Sequence, residues 1–279
     1  MMEPGDPILW VTGVFSFFVF LFGASIGSFL NVCVYRLPAG RSIVRPRSRC
    51  PCCGTTIPWH DNLPVLSWFL LRGRCRFCGT RISFRYPAVE ALTGALAVLL
   101  VRRFGPPVES LLLRGDLRGL GIAGIYFALA CALVVIALID LDHTIVPDAI
   151  ALPGIAAGLA ASLALPLSLR DSVLGAALGA GSLWAVARGY SWVMGREGMG
   201  LGDVKLLAMI GAFLGWKGVL FTLLASSVTG AAVMDVVLPL RGRGLRQAFP
   251  FGPFLCLAAL AYVFCGEPLV AWYLRLGRP

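Results

Sequence analysis

The sequence predicts an all-α polytopic membrane protein of about eight transmembrane helices with one small cytoplasmic insertion. Three observations carry this expectation. Of 279 residues, 58% are hydrophobic and only 14% charged, with a mean hydropathy of +0.83, whereas a soluble domain is about 25% charged. Apolar runs of about 18 residues or more, enough to cross a bilayer, recur along the chain. The remaining charge is bunched: ten Arg and a single acid, Asp61, lie between Arg36 and Arg85.

Residues 1–35 form the first transmembrane helix, apolar from about residue 8 to residue 34. The opening Met-Met-Glu-Pro-Gly-Asp lacks the basic region of a signal peptide, and Asn31 to Pro38 offers no small-residue cleavage site. The helix is therefore expected to stay in the mature protein with its acidic start outside. Residues 36–86 form the insertion, placed in the cytoplasm because short Arg-rich loops stay on the inner side. Topology thus accounts for a net charge of +10 without nucleic acid, for which no motif accompanies the charge. Contact with membrane lipids through anionic headgroups is compatible with it.

Residues 87–279 form the transmembrane core. Spans are expected at about 87–101, 120–139, 149–166 and 172–194, then two within "VKLLAMIGAFLGWKGVLFTLLASSVTGAAVMDVVLPL", and a last at about 250–274. The pair turns at Gly215–Gly218, and its short first member is expected to tilt or sink into the bundle. Small residues spaced by four, Gly23/Gly27, Gly154/Gly158, Gly175/Gly179 and Gly211/Gly215, suit close helix packing where lipid gives no hydrophobic drive. Counting spans from a cytoplasmic 36–86 loop puts "DLDHTIVPD", "GREGMGLGD" and "RGRGLR" on that same inner side.

Within the insertion, Cys50-x2-Cys53 and Cys75-x2-Cys78 are 21 residues apart, and each pair is followed by Gly (Gly54, Gly79), suited to a tight knuckle turn. Four thiolates so spaced close a tetrahedral Zn²⁺ site; two disulfides are the alternative, disfavoured in a reducing cytoplasm. The insertion is accordingly a four-cysteine zinc knuckle, held by structural zinc because so short and Arg-rich a segment builds little core. Cys52 is the spare thiol by spacing, and would replace Cys53 if the turn slipped. Cys33, Cys131, Cys256 and Cys265 stand singly in apolar spans, as small packing residues do.

Acids are rare at the inner helix ends: Asp140, Asp142, Asp148, Glu197 and Asp203. A carboxylate at membrane depth costs roughly 2.5–3.5 kcal/mol, so each needs a reason. Asp140 ends "ALVVIALI", and Asp203 opens "VKLLAMIGAFL" behind Gly198, Gly200 and Gly202, which free the backbone to bend and let a peptide approach. Two aspartates brought together share one proton and hold acid and base forms at once. That serves peptide hydrolysis, in which one carboxylate takes a proton from water and the other donates to the carbonyl oxygen. The blander alternative has Asp203 capping its helix and Asp142 pairing with an Arg. Asp142 and Asp148 read as supporting or capping residues, and Lys205 and His143 as tuning or interfacial ones. Glu90, one turn into the second span, faces either the bundle or the headgroups. Two non-protease readings fit the same residues: a proton-coupled membrane carrier, which needs acids along a path, and a non-catalytic assembly module docking through its zinc loop.

"GSFLNVCVYRLP" (27–38), "RCPCCG", "GRCRFCG", "SFRYPAVEALTG" (83–94), "DLDHTIVPD" (140–148) and "GMGLGDVKLLA" (198–208) occur in this order. Together they resemble the bacterial type IV prepilin peptidases, the leader peptidase/N-methyltransferase family, and the GxGD element is similar to that of other membrane aspartyl proteases. The resemblance implies an eight-helix enzyme of the bacterial inner membrane. It would cut the basic leader of type IV prepilins or type II secretion pseudopilins after Gly, on the cytoplasmic face, and then methylate the new N-terminus from S-adenosylmethionine. Asp140 and Asp203 match the catalytic pair, and Cys50, Cys53, Cys75 and Cys78 match the metal knuckles; Cys52 departs mildly from the usual pattern. No glycine-rich loop for S-adenosylmethionine occurs, so no residue is assigned to it. Because the insertion is itself basic, the leader is expected to meet Asp148, Glu197, Glu90 or Asp61.

Overall fold

The computed structural model describes residues 7–195, 200–241 and 250–276. In chain order the helices are α1 (Pro7–Arg36), α2 (Leu66–Leu70), α3 (Arg85–Phe104), α4 (Val108–Arg114), α5 (Arg118–His143), α6 (Asp148–Ala161), α7 (Leu169–Met194), α8 (Leu201–Arg241) and α9 (Gly252–Leu276), with a 3-10 turn at Trp59–Asn62. No strand occurs among the described residues; two isolated bridges, Arg49 to Thr56 and Arg74 to Arg81, lie in the insertion. By length and composition, Trp10–Arg36, Arg118–His143 and Leu201–Asp235 can each cross a membrane, and Asp148–Ala161 and Gly252–Gly266 are shorter apolar helices.

α8 is two helices joined at Gly215, whose φ of 69° and ψ of −179° lie outside helical space and are open essentially to Gly alone. With that break, the long helices coincide with the eight expected spans. The first half of α8 is sunk into its surroundings: residues 206–215 are all buried. An apolar helix buried on every side is a core helix rather than a lipid-facing one.

The chain divides into two compact units, Met1–Cys131 and Ala132–Pro279. In the first, α1 packs on α3 through small residues. A Cβ on Gly23 would lie 2.6 Å from the Ala97 Cβ and 2.9 Å from the Gly94 Cα, and one on Gly27 would lie 2.8 Å from the Glu90 Cα. The close approach expected of this pair is thus made between backbones. Polar bonds join these helices to each other and to the insertion. The Asn31 Nδ2 donates to the Tyr86 carbonyl at 3.2 Å. The Val65 N–H donates to Glu90 Oε2 at 2.7 Å, while the Ser28 hydroxyl also bonds the Glu90 carboxylate. Glu90 therefore faces protein, which settles the choice its sequence position left open.

In the second unit, α8 is the hub. α7 meets it where Gly175 and Gly179 press on the backbone of Gly211, Gly215 and Leu207, and α6 meets it where Gly154 and Gly158 press on Met209, Ala212 and Phe213. Leu206, Leu207, Met209 and Ile210 of α8, Ile136 and Ile139 of α5 and Leu255 of α9 are fully buried.

Candidate active site and cysteine knuckle

α5 and α8 present one carboxylate each in the second unit. Asp140 lies in the last turn of α5 and is only 4% exposed. The helix is closed just beyond it: the Thr144 N–H donates to the Asp140 carbonyl at 2.8 Å, and Thr144 takes a positive φ of 54°. Pro147 then precedes α6, and Asp148 opens it. Asp203 sits in the first turn of α8 and is partly buried. The two carboxylates stand close enough for their charges to interact, and the fully buried Cys256 thiol of α9 feels both.

Gly202 brings the two segments together. A Cβ there would lie 3.0 Å from the Val146 Cβ and 3.2 Å from its Cγ2. The "DLDHTIVPD" loop therefore lies directly against the start of α8, and the room left by Gly202 is taken by the chain itself rather than held open for a peptide. Gly200 is exposed and unconfined. Glu197 and Gly198 lie outside the described residues.

The remaining acids separate from the pair. Asp142, two positions beyond Asp140, is on another face of the helix and is exposed, as is His143. Asp148 is bound by Lys205, whose Nζ donates to both carboxylate oxygens at 2.7 and 2.9 Å. Asp61 is bound by Arg76, whose Nε donates to Oδ2 at 2.7 Å, and this guanidinium holds the Asp61 carboxyl below the usual range. Three of the four acids expected to meet a basic leader, Asp148, Asp61 and Glu90, thus already have partners within the chain; the fourth is Glu197.

One residue of the site went unread in the sequence. The backbone N–H of Gly252, the first residue of α9, donates to Asp140 Oδ2 at 3.0 Å. The only signal was punctuation, a Gly between Phe251 and Pro253 where the last span begins.

In the first unit, Cys50, Cys53, Cys75 and Cys78 bring their sulfurs within 4.8 Å of one another. The two halves repeat one turn. Gly54 and Gly79 share a φ of 69°, their N–H groups donate to the Cys50 and Cys75 carbonyls at 2.9 and 3.0 Å, and the Cys50 and Cys75 N–H groups donate to the Thr55 and Thr80 carbonyls at 3.0 and 2.9 Å. Thr55 and Thr80 hydroxyls lie 3.3 Å from the Cys53 and Cys78 sulfurs, and the Thr80 hydroxyl and backbone pull the Cys78 thiol down to about 6. The Cys50 and Cys78 sulfurs are 3.7 Å apart, close to the roughly 3.8 Å edge of a tetrahedron with Zn–S bonds of about 2.3 Å and far beyond a disulfide bond. All nine cysteines are free, and Cys52 is exposed and outside the cluster.

These features define an all-helical membrane protein with a pair of carboxylates, one buried and one partly buried, and a four-cysteine knuckle. Residues 21–104 match the bacterial peptidase A24 N-terminal domain, and residues 127–234 match the type IV leader peptidase family. The chain is 45% identical over 231 residues to a prepilin leader peptidase/N-methyltransferase of Myxococcus xanthus (strain DK1622), a match that covers 82% of this chain and 65% of that protein. Proteins of the same name from Pseudomonas putida and Aeromonas hydrophila are 39% and 37% identical, over 91% and 92% of this chain and 92% of each relative. The chain belongs to the type IV leader peptidase family. No solved structure matches it.

Proposed function

We propose that this chain is a prepilin leader peptidase that uses Asp140 and Asp203 as its catalytic pair and then methylates the new N-terminus from S-adenosylmethionine. The observation that carries the reading is the pairing of two carboxylates, one buried at the end of α5 and one in the first turn of α8, near enough for their charges to interact. Such a pair holds one proton between two acids. The ionised member takes a proton from a water, the water oxygen bonds to the scissile carbonyl carbon, and the protonated member donates to the carbonyl oxygen. Collapse of that adduct breaks the C–N bond, and the departing amine takes the proton gained from water. The substrates are type IV prepilins or type II secretion pseudopilins, cut after Gly at the cytoplasmic face of the inner membrane.

Cys50, Cys53, Cys75 and Cys78 would hold a structural Zn²⁺, supported by sulfur spacing that fits a tetrahedron and by the paired turns that aim the thiols inward. Bound there, zinc would cross-link the 36–86 segment. The chain then has three functional segments: the first helix at 1–35, the zinc loop at 36–86 and the protease core at 87–279. The methyl donor follows from the family's bifunctional relatives, and no residue here is assigned to it.

Asp140→Asn and Asp203→Asn, each purified and incubated with a prepilin and a labelled methyl donor, test the proposal by product mass. Both variants should lose cleavage by at least about a thousandfold, about 4 kcal/mol of barrier, while inserting and folding normally. Robust cleavage by either would remove that residue from the pair.

A further inference from the structure

We infer that Gly252 is a positioning residue for Asp140, and that the start of α9 decides which carboxylate of the pair is the base. The inference rests on the peptidase reading. Its geometry stands apart from it: the Gly252 N–H donates to Asp140 Oδ2 at 3.0 Å, in a buried setting. A Cβ at this position would lie 2.6 Å from that same oxygen and 3.1 Å from the Asp140 Cγ, so any larger residue here must displace the Asp140 carboxylate.

The donor is also the first residue of a long helix, so the positive end of the α9 dipole faces Asp140. An oxygen that accepts a backbone N–H does not carry the shared proton. The donor and the dipole thus hold negative charge on Asp140, and the proton resides on Asp203, whose carboxylate has no such backbone donor among the described residues. Asp140 is the base that takes the proton from water, and Asp203 is the acid that gives one to the scissile carbonyl. Cys256, one turn further along α9, is buried and anchors the helix that carries the donor.

Two measurements on the full chain in lipid nanodiscs test this. With ¹⁵N-glycine labelling, the Gly252 amide proton should resonate well downfield, move strongly upfield in Asp140→Asn, and stay near its original position in Asp203→Asn. A Gly252 amide indifferent to Asp140→Asn overturns the inference whether or not the protein cleaves anything. In the second measurement, Gly252→Ala should lower kcat for prepilin cleavage about 100-fold, as loss of one preorganised donor does elsewhere, with KM unchanged. Unaltered kcat in Gly252→Ala also overturns it. If Gly252→Ala fails to fold, the amide measurement on the two aspartate variants decides alone. Full cleavage by both aspartate variants, with the response of the amide to Asp140→Asn as expected, would sink the two-aspartate assignment and leave the contact standing.

Discussion

Lys205 grips both carboxylate oxygens of Asp148, joining the N-terminal ends of α8 and α6 two positions from Asp203. The side chains are 33% and 58% exposed, and a pair so exposed contributes about 1 kcal/mol at most to stability. Its importance is for charge. Removing the carboxylate alone would leave an unpaired ammonium beside the site, facing a basic leader. Asp148→Asn should raise KM for a basic prepilin about fivefold, about 1 kcal/mol, and Asp148→Asn/Lys205→Gln should restore it. A KM that ignores the single substitution would show that the leader passes elsewhere.

The knuckle sorts five neighbouring thiols into four and one. Cys52 is exposed and lies outside the cluster that Cys50, Cys53, Cys75 and Cys78 form. Purified Cys52→Ser should retain one zinc per chain, whereas Cys75→Ser should lose it and expose the 36–86 segment to protease, because metal affinity here is folding free energy. Full zinc occupancy in Cys75→Ser, measured by elemental analysis, would end the four-thiolate assignment.

Asp61 and Arg76 tie the 3-10 turn to the second knuckle. Arg76 holds the Asp61 pKa below its ordinary value. The tie therefore stabilises the folded loop fully above the unfolded carboxylate pKa of about 3.9 and is lost as pH falls through the lower folded value. The stability difference between the parent chain and Arg76→Gln should stay flat from about pH 8 to 5 and shrink only below about 4. Shrinkage already between pH 8 and 6 would mean that ionisation of Asp61 is not what the tie depends on.

Val65 has a φ of 62°, a strained setting for a β-branched residue that costs about 1–3 kcal/mol. Its N–H is held there by Glu90 Oε2, and a hydrogen bond of this kind is worth about 0.5–1.5 kcal/mol net. Glu90→Ala should release this turn and speed amide exchange at Val65 at least tenfold. Val65→Gly in that background should recover part of the lost stability, since Gly takes this φ freely. Exchange unchanged by Glu90→Ala would mean that the turn is held by its own packing.

Much of this was legible because it rests on local rules. The eight long helices follow from apolar runs, the Gly215 break from a Gly-rich interruption, and the Cys50–Cys53 and Cys75–Cys78 turns from spacing plus the trailing glycines. Asp140 and Asp203 were conspicuous because acids are costly beside apolar helices. What was not legible depends on tertiary contact. Gly202 read as a flexible residue, yet its role is room for Val146. Asp148, Asp61 and Glu90 read as acids open to a substrate, yet Lys205, Arg76 and the Val65 N–H occupy them. The Gly252 donor is a backbone group, so no side-chain pattern could announce it across the 112 residues that separate it from Asp140.

The depth of Asp203 is set by glycine contacts farther along its helix. At Gly211 a Cβ would collide with the carbonyl group of Gly175 on α7 and lie 2.8 Å from the Val219 Cγ2. Backbone cannot swing aside as a side chain can, so Gly211→Ala must push α7 and α8 apart, at about 1–3 kcal/mol for overpacking. Gly181 on α7 has open space around its Cα, and Gly181→Ala should be neutral or slightly stabilising through helix propensity. Thermal unfolding in detergent micelles should separate the two variants by several degrees. Cleavage should separate them further, because α8 carries Asp203 at one end and the Gly211 contact two turns on, and a shifted helix moves one carboxylate of the pair while α5 and α9 hold the other. Equal stability and equal cleavage in the two variants would mean that the helix contact yields without moving the site.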